Sequence, residues 1–350
     1  MAGSRRPIFI VGPSRSGTEL TRGILNNHSQ IGIAGETHYF DDLRPRLGGG
    51  TAALGRDAKT AVIAYFAAVK AHSYGLHDGA PAGPALEPAI IAQAEAAGGS
   101  GDAYFAAYCR GVAAARGKAV WGEKTPRHIF AADEILATFP SARIVALVRD
   151  PRAVVASYRD WRNRWFAGQA LEPALQAAIA REQARVRASY SLPVIALLWA
   201  AAARQAARLQ ARHPARVFLL KFEDLLAAPE ATIRTLLDWL ELAYEPTMLD
   251  VDVVNSSYVD RGARGGVDAH ARERWRERLS PDEAGLVSLL TGGVARRFGY
   301  VGSNPPPLTY TLAMIALTPV FMLRAAAANR GRIGAILPYL AARAGALLGR

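Results

Sequence analysis

The sequence is poor in the residue types that build disulfides and metal sites. Cys109 is its only cysteine among 350 residues, so neither a disulfide framework nor a cysteine-based zinc site can form within the chain. The seven histidines are scattered, and we predict no metal site because a metal needs several ligands in a defined geometry. A chain with one cysteine is typical of a reducing compartment, and we expect a cytoplasmic protein.

The sequence also lacks a compact basic arm. Its net charge is +12, from 42 basic and 30 acidic side chains, but the arginines are spread through the chain, and we identify no short arm rich in Lys and Arg with interleaved aromatic residues. This argues against nucleic acid as a partner and favours small polyanions or an anionic membrane surface. The N-terminal MAGSRRP is followed by only four apolar residues before a glycine loop, so we predict no signal peptide.

The last part of the chain, residues 301–350, has no acidic residue. Its apolar segment at 308–323, about 16 residues long and interrupted by Pro319, is shorter than the roughly 20 residues that span a bilayer. Arginines follow this segment. We therefore predict a basic, apolar tail that lies on the inner face of an anionic membrane. The alternative is a helical hairpin packed on the domain or in a homodimer interface.

Short apolar runs alternate with helical patterns over residues 1–300. This alternation predicts an α/β domain whose mostly parallel sheet is covered by helices on both faces. Residues 44–118 are rich in Ala and Gly and predict a helical insertion. Ligands of such sheets bind at the carboxyl ends of the strands. The predicted strands are Ile8–Val11, Ile31–Ala34, a short one within 119–129, 144–148 and Val217–Lys221.

A glycine loop, GPSRSGTEL, follows the first strand and precedes a helix. This arrangement directs backbone N–H groups and a helix N-terminus at an anion. The nucleotide-binding form of the loop places Lys and then Ser or Thr after its last glycine. Here Thr18 and Glu19 follow Gly17, and Arg15 is the only cation of the loop. The missing lysine argues against phosphoryl transfer from ATP.

A second strand end also carries a cation where a kinase would need an acidic metal ligand. Arg149 follows the strand 144–148, and Ser157 lies eight residues later in a helix that begins with proline. A guanidinium binds phosphate oxygens in a bidentate manner. The two strand ends together predict a ligand with separated phosphate groups and no metal.

Three segments carry a resemblance to a known family. GPSRSGTEL, RIVALVRDPRAVVASY and GEKTP resemble, in this order, motifs of the PAPS-dependent sulfotransferases, in the bacterial and Golgi-type branch related to tyrosylprotein sulfotransferases. The resemblance covers roughly residues 7–300, which makes 1–300 the sulfotransferase domain. It implies a P-loop-like three-layer α/β/α fold. It also implies 3′-phosphoadenosine-5′-phosphosulfate (PAPS) as a co-substrate that needs no metal.

The resemblance also implies roles for individual residues. The 5′-phosphosulfate would be held by the loop, and the 3′-phosphate by the second strand end; the residues concerned are Arg15, Ser16, Gly17 and Thr18 for the loop, and Arg149 and Ser157 for the strand end. Glu36 would be the catalytic base, and Lys124 would neutralise the leaving phosphate together with Arg15. A further basic loop at Arg261 or Arg264 would complete the donor site.

Each of these residues also has a structural interpretation. Arg149 can pair with Asp150, Glu36 can cap the following segment, and Glu19 can favour the helix N-terminus. We expect Glu123 to be structural and paired with an arginine. The function predicted is transfer of a sulfuryl group to an acceptor hydroxyl of a glycolipid, lipid or polysaccharide. A P-loop-like small-metabolite kinase and a non-catalytic nucleotide-binding, membrane-associated protein are the alternatives.

Overall fold

The computed structural model describes residues 6–70, 86–160, 173–251 and 272–328. Within them, five parallel strands form one sheet in the order β2-β3-β1-β4-β5. The sheet confirms the predicted α/β class with a parallel sheet. The strands are β1 (Ile8–Val11), β2 (Ile31–Ala34), β3 (Val120–Lys124), β4 (Arg143–Val148) and β5 (Val217–Lys221).

Helices connect each strand to the next and cover both faces of the sheet. Several begin with proline at the first turn, where the missing N–H costs no hydrogen bond. They are α1 (Thr18–Asn27), α2 (Arg44–Arg46), α3 (Arg56–Lys70), α4 (Pro88–Ala96), α5 (Gly101–Ala114), α6 (Ala132–Thr138), α7 (Pro151–Asp160), α8 (Pro173–Ser189), α9 (Leu192–Arg212), α10 (Phe222–Ala227), α11 (Pro229–Leu240), α12 (Pro281–Ala295) and α13 (Leu308–Ala328).

The strand order places a crevice between β1 and β4. From β1 the chain runs first to β2 and β3 on one side, and then crosses to β4 and β5 on the other. Strand order therefore reverses at the boundary between β1 and β4. In open parallel sheets this is the point where ligands bind, outside the carboxyl ends of the strands.

The strands are buried on both faces, which explains their continuous apolar runs. On β1, Phe9 and Val11 belong to one core cluster, whereas Ile8 and Ile10 belong to the opposite one. The first cluster is closed by α5 and is rich in aromatic rings, with Phe105 stacked on Phe9 at 6.1 Å. Helices α1 and α11 cover the second cluster. A rigid double-sided core thus supports the loops at the carboxyl edge.

The predicted helical insertion and the predicted C-terminal tail are both helical where the structure describes them. Residues 44–118 contain α2 to α5, with 71–85 outside the described residues. The tail contains α13, which is 21 residues long and so extends beyond the predicted segment 308–323. Pro319 lies inside this helix without ending it. Residues 329–350 lie outside the described part of the chain.

Candidate active site

The loop between β1 and α1 follows a path that requires glycine at both ends. Gly12 has φ 137° and Gly17 has φ 91°, values that side chains rarely adopt. A Cβ atom on Gly12 would lie 2.4 Å from the carbonyl oxygen of Leu147 in β4. One on Gly17 would lie 2.2 Å from the ring of Phe222. The loop therefore packs closely against β4 and against the start of α10, which follows β5.

The loop directs polar groups toward the N-terminus of α1. Ser16 is fully buried, and its hydroxyl has no hydrogen-bond partner among the described residues. Thr18, the first residue of α1, is also buried. A buried hydroxyl without a partner is costly, so a ligand oxygen is a fitting partner for Ser16. Together with the exposed N–H groups of a helix start, this forms an anion site.

The structure brings the loop and the second strand end into direct contact. Arg15 Nε donates a hydrogen bond to Ser157 Oγ at 3.1 Å. Arg149 donates to the Arg15 carbonyl oxygen, also at 3.1 Å. Ser157 lies two turns into α7 and is buried. These residues, 134 and 142 positions apart in the chain, share one surface because the carboxyl ends of β1 and β4 are adjacent.

Phe222 lies at the candidate site, although it was not predicted from the sequence. Its ring lies 4.4 Å from the Arg149 guanidinium, in cation–π geometry, and it also faces Gly17. It is the first residue after β5 and is buried. Its position could have been predicted, because it is an aromatic residue that directly follows Lys221, at the carboxyl end of a strand. Phe222 fixes the distance between the loop and Arg149.

Lys124, at the end of β3, lies between two carboxylates. Its Nζ is 2.6 Å from Glu36 Oε1 and 3.0 Å from Glu19 Oε2. The predicted pair of Glu36 and Lys124 is thus in contact, and Glu19 is an unpredicted third member. Glu19 lies in the first turn of α1, but its carboxylate bonds to Arg22 and Lys124, and no side-chain cap is present at the helix start.

The charges of this cluster reinforce one another. Burial opposes ionisation of Glu19, but Lys124 and Arg22 outweigh it and lower its pKa to about 2. Burial likewise opposes ionisation of Glu36, yet Lys124 and His38 hold its pKa well below the ordinary range. The Glu36 side chain is nevertheless 42% exposed. The pKa of Lys124 is raised by both carboxylates against its burial. All three groups are therefore charged at neutral pH.

A line of ionisable groups continues behind Glu36. His38 lies 3.4 Å from Glu36 and 3.4 Å from Asp41, and His128 lies 3.3 Å from Asp41 and 3.1 Å from Glu123. Although burial lowers the pKa of both histidines, the carboxylates raise the pKa of His38 to about 9 and that of His128 to about 8. His38 has a left-handed backbone, φ 53°, which turns its ring toward both acids.

The expected pairing of Glu123 with an arginine is wrong. Glu123 is fully buried, Thr37 and Thr125 donate to it, and it contacts His128. Its partners come from the adjacent strand end and from the start of the 3₁₀ helix Pro126–Ala131. The alternative role of Arg149, as a partner of Asp150, is not favoured either, because Asp150 binds Arg152 at 2.6 Å.

Glu36 does not cap the segment that follows it. The π-helix Tyr39–Leu43 has His38 at its N-cap position and no side-chain cap hydrogen bond. Glu36 points to Lys124 and His38 instead. Its carboxylate is therefore held by charges and is partly exposed to solvent.

A cleft of about 820 Å³ is lined by Asp150, the residue after Arg149, and by none of the predicted site residues that the structure describes. It lies outside the carboxyl ends of β4 and β5, and its lining includes Asp150, Arg152, Lys221, Trp275 and Tyr300. The loop with Arg261 and Arg264 lies outside the described residues. Within the described ranges no group of three or more potential metal ligands is found.

The chain belongs to the sulfotransferase family, whose family model matches residues 7–246. The matched region contains the β1–α1 loop, Glu36, Lys124, Arg149 and Ser157. No curated protein sequence is significantly similar to the chain.

Solved structures with a similar fold are also sulfotransferases. The sulfotransferase domain from the curacin biosynthetic pathway is 18% identical, with a TM-score of 0.48, over 85% of this chain and 99% of that one. The sulfotransferase domain of the Synechococcus PCC 7002 olefin synthase is 19% identical, with a TM-score of 0.49, over 85% and 97%. A sulfotransferase from Alicyclobacillus acidocaldarius is 18% identical, with a TM-score of 0.42, over 84% and 94%.

Proposed function

We propose that this sulfotransferase uses PAPS as its donor and moves the sulfuryl group to an acceptor hydroxyl. The observation that carries the choice of donor is the contact of Arg15 with Ser157. It joins a loop suited to one anion to a strand end suited to another. PAPS carries a phosphosulfate at one end and a phosphate on the ribose, and this separation matches two cationic sites on one surface.

The residues present fit this donor. Ser16, the N–H groups of the loop and Thr18 would bind the 5′-phosphosulfate, and the unpartnered Ser16 hydroxyl supports this assignment. Arg149 and Ser157 would bind the 3′-phosphate. The cleft lined by Asp150 has the volume of a small-molecule site, and because Asp150 follows Arg149 in the chain, the nucleoside would be received there.

Transfer would proceed by in-line attack. The acceptor oxygen forms a bond to sulfur while the bond from sulfur to the bridging phosphate oxygen breaks. Glu36 accepts the proton of the acceptor hydroxyl, for which its ionised state is required. Negative charge develops on the phosphate oxygen of the departing nucleotide, where Arg15 and Lys124 would stabilise it. Two carboxylates engage Lys124, and its ammonium has a third N–H for this oxygen.

We further propose that the acceptor is the hydroxyl of a lipid, a glycolipid or a surface polysaccharide. The exposed apolar helix α13 supports an acceptor found at a membrane. To test this, radiolabelled PAPS would be incubated with the protein and a total membrane extract. Label in the organic phase would indicate a lipid or glycolipid, and label in high-molecular-weight aqueous material a polysaccharide. Label confined to small soluble phenols or peptides would contradict the proposal.

Calorimetric titration with the product nucleotide PAP tests the donor. Wild type should bind PAP without metal, and Arg149→Ala should weaken binding at least about tenfold because a charged hydrogen-bonding partner is lost. Ser157→Ala is a milder change at the same site and serves if Arg149→Ala does not fold. Arg212→Ala, which removes an exposed ion pair with Asp133, is the matched control and should bind as wild type.

The same titration with ATP separates the enzyme classes. Metal-independent binding of PAP with weak binding of ATP is the expected result. Binding of ATP that requires Mg²⁺, without a response to PAP, would overturn the choice of donor. Glu36→Gln should retain PAP binding and lose turnover; unchanged turnover would remove Glu36 from the mechanism.

A further inference from the structure

One face of helix α13 is partly buried and packs against the rest of the protein. Its less exposed residues recur every three or four positions and lie on one face: Tyr310, Thr311, Met314, Thr318, Phe321, Met322, Ala325 and Ala326. Tyr310 and Met314 pack against the core cluster of α7, α9 and α12. Arg324 donates to the carbonyl oxygens of Ala188 and Tyr190, at 2.9 and 3.4 Å. The helix thus lies along α8, fixed at both ends.

The opposite face of α13 is apolar and uncovered. Leu308, Leu312 and Leu323 are 71%, 57% and 65% exposed. Ile315 and Val320 lie between them and are also more than half exposed. Only 6% of the residues in its most apolar 18-residue stretch are buried, although the mean hydropathy there is 1.7. A surface helix of a protein in water has a polar outer face, and this one has none.

The sequence that contains and follows α13 is basic. From residue 284 to the end of the chain it has no acidic residue and no lysine but seven arginines: Arg296, Arg297, Arg324, Arg330, Arg332, Arg343 and Arg350. Burial and the acidic residues Asp282 and Glu283 raise the pKa of Tyr310, which belongs to the docked face of α13. An apolar helix face in a segment of this composition is complementary to a membrane surface with anionic headgroups.

We propose that the outer face of α13 inserts into the surface of an anionic membrane, with the helix parallel to the bilayer. By length and composition α13 could also cross a bilayer. Its docked face and the hydrogen bonds of Arg324 hold it against α8, and a parallel orientation keeps these contacts. The membrane then lies on the side of the protein where α13 packs against the cluster of α7, α9 and α12.

Flotation of the full-length protein with vesicles tests this proposal. Vesicles of phosphatidylcholine with 30% phosphatidylglycerol are compared with vesicles of phosphatidylcholine alone, at low and high salt. We expect binding to the anionic vesicles that weakens with salt. The double variant Leu312→Glu/Leu323→Glu should reduce the bound fraction at least about tenfold, because two leucines lose their apolar burial. Leu289→Glu, an equally exposed leucine on α12, is the matched control and should bind as wild type.

Two results would overturn the proposal. Equal binding to both kinds of vesicle at all salt concentrations would show that the protein does not recognise anionic headgroups. No binding to either, together with a dimer in light scattering that the double variant dissociates, would show that a second copy covers this face. A cooperative thermal unfolding transition like that of the wild type confirms that the double variant is folded. Vesicle binding does not depend on the donor, so each proposal can fail without the other.

Discussion

At the scale of single residues, Lys124 sets the chemistry of the site. It holds Glu36 and Glu19 at 2.6 and 3.0 Å and is itself almost fully buried. An ammonium between two carboxylates stays protonated, and both carboxylates stay ionised. Lys124 therefore keeps Glu36, the proposed base, ionised. It also provides a positive charge that can stabilise the leaving oxygen.

Replacement of Lys124 by methionine should affect both roles. We expect kcat to fall by about 10²–10³, the range for loss of one preorganised charge donor. The acidic limb of the pH–rate profile should move to higher pH, because without Lys124 the burial of Glu36 raises its pKa. The measurement is kcat/KM for sulfuryl transfer from pH 4 to 9.

The shift in the pH profile distinguishes this role from a loss of folding. Lys59→Met removes a surface ion pair with Glu95 and should leave both the rate and the profile unchanged. A Lys124→Met enzyme with reduced kcat but an unmoved acidic limb would show that Glu36 does not depend on Lys124 for its ionisation.

At the scale of elements, α1 contains two glycines in opposite situations. Gly17 begins the helix with a positive φ and faces the Phe222 ring. Gly23 lies in the middle of the helix, and an added Cβ would meet its nearest neighbour, Val251, at 3.7 Å, an ordinary contact. Alanine at the two positions should thus have opposite effects on stability.

Gly17→Ala should lower the free energy of unfolding by about 2–4 kcal/mol, through overpacking and a strained backbone. Gly23→Ala should raise it by about 0.5–1 kcal/mol, because alanine favours helix. Urea denaturation of both variants measures these changes. The double variant Gly17→Ala/Phe222→Ala should lose less stability than the sum of its single changes, since removal of the ring relieves the clash. Strict additivity would contradict the contact.

The same elements show what the sequence can and cannot reveal. The strands β1, β2 and β5 were predicted with their observed bounds, because continuous apolar runs end at glycines or charged residues. The proximity of Arg15 to Arg149 followed from the rule that carboxyl ends of parallel strands share an edge. These features depend on local pattern and on one general rule of topology.

The features that were missed depend on contacts between distant parts of the chain. Glu19 meets Lys124, and Phe222 meets Gly17, only after β1, β3 and β5 have taken their places in the sheet. The π-helix Tyr39–Leu43 was also missed, because its formation depends on two buried contacts with distant parts of the chain: the Tyr39 hydroxyl donates to Asp102, and the Phe40 backbone N–H donates to His128 Nε2. The five-strand order itself has no local signal.

At the scale of the whole molecule, one ionic network connects the β2 end of the sheet to the segments around it. Glu36 follows β2, Asp41 lies in the π-helix, Glu123 lies in β3 and His128 lies in the adjacent 3₁₀ helix. His38 joins the first two acids. His38 lies between Glu36 and Asp41, and its positive charge attracts both carboxylates, so the stability of this edge depends on pH.

The sign of this dependence follows from the pKa shifts. The folded state raises the pKa of His38 to about 9 and that of His128 to about 8, from an ordinary value of 6.5. The histidines therefore contribute their full stabilisation of the folded state below about pH 6.5. This stabilisation is lost as the pH rises through 8 and 9. We expect the free energy of unfolding to fall by on the order of 2 kcal/mol between pH 6.5 and 9.5. Asparagine tolerates the left-handed backbone of position 38. The His38→Asn variant should therefore fold, but it should be less stable than the wild type at pH 6.5, and its free energy of unfolding should fall less steeply with pH. His213→Asn, on the surface near Asp133, should follow the wild-type slope. Denaturation in urea at a series of pH values measures all three proteins, and an identical slope for His38→Asn and wild type would show that the network does not depend on the His38 charge.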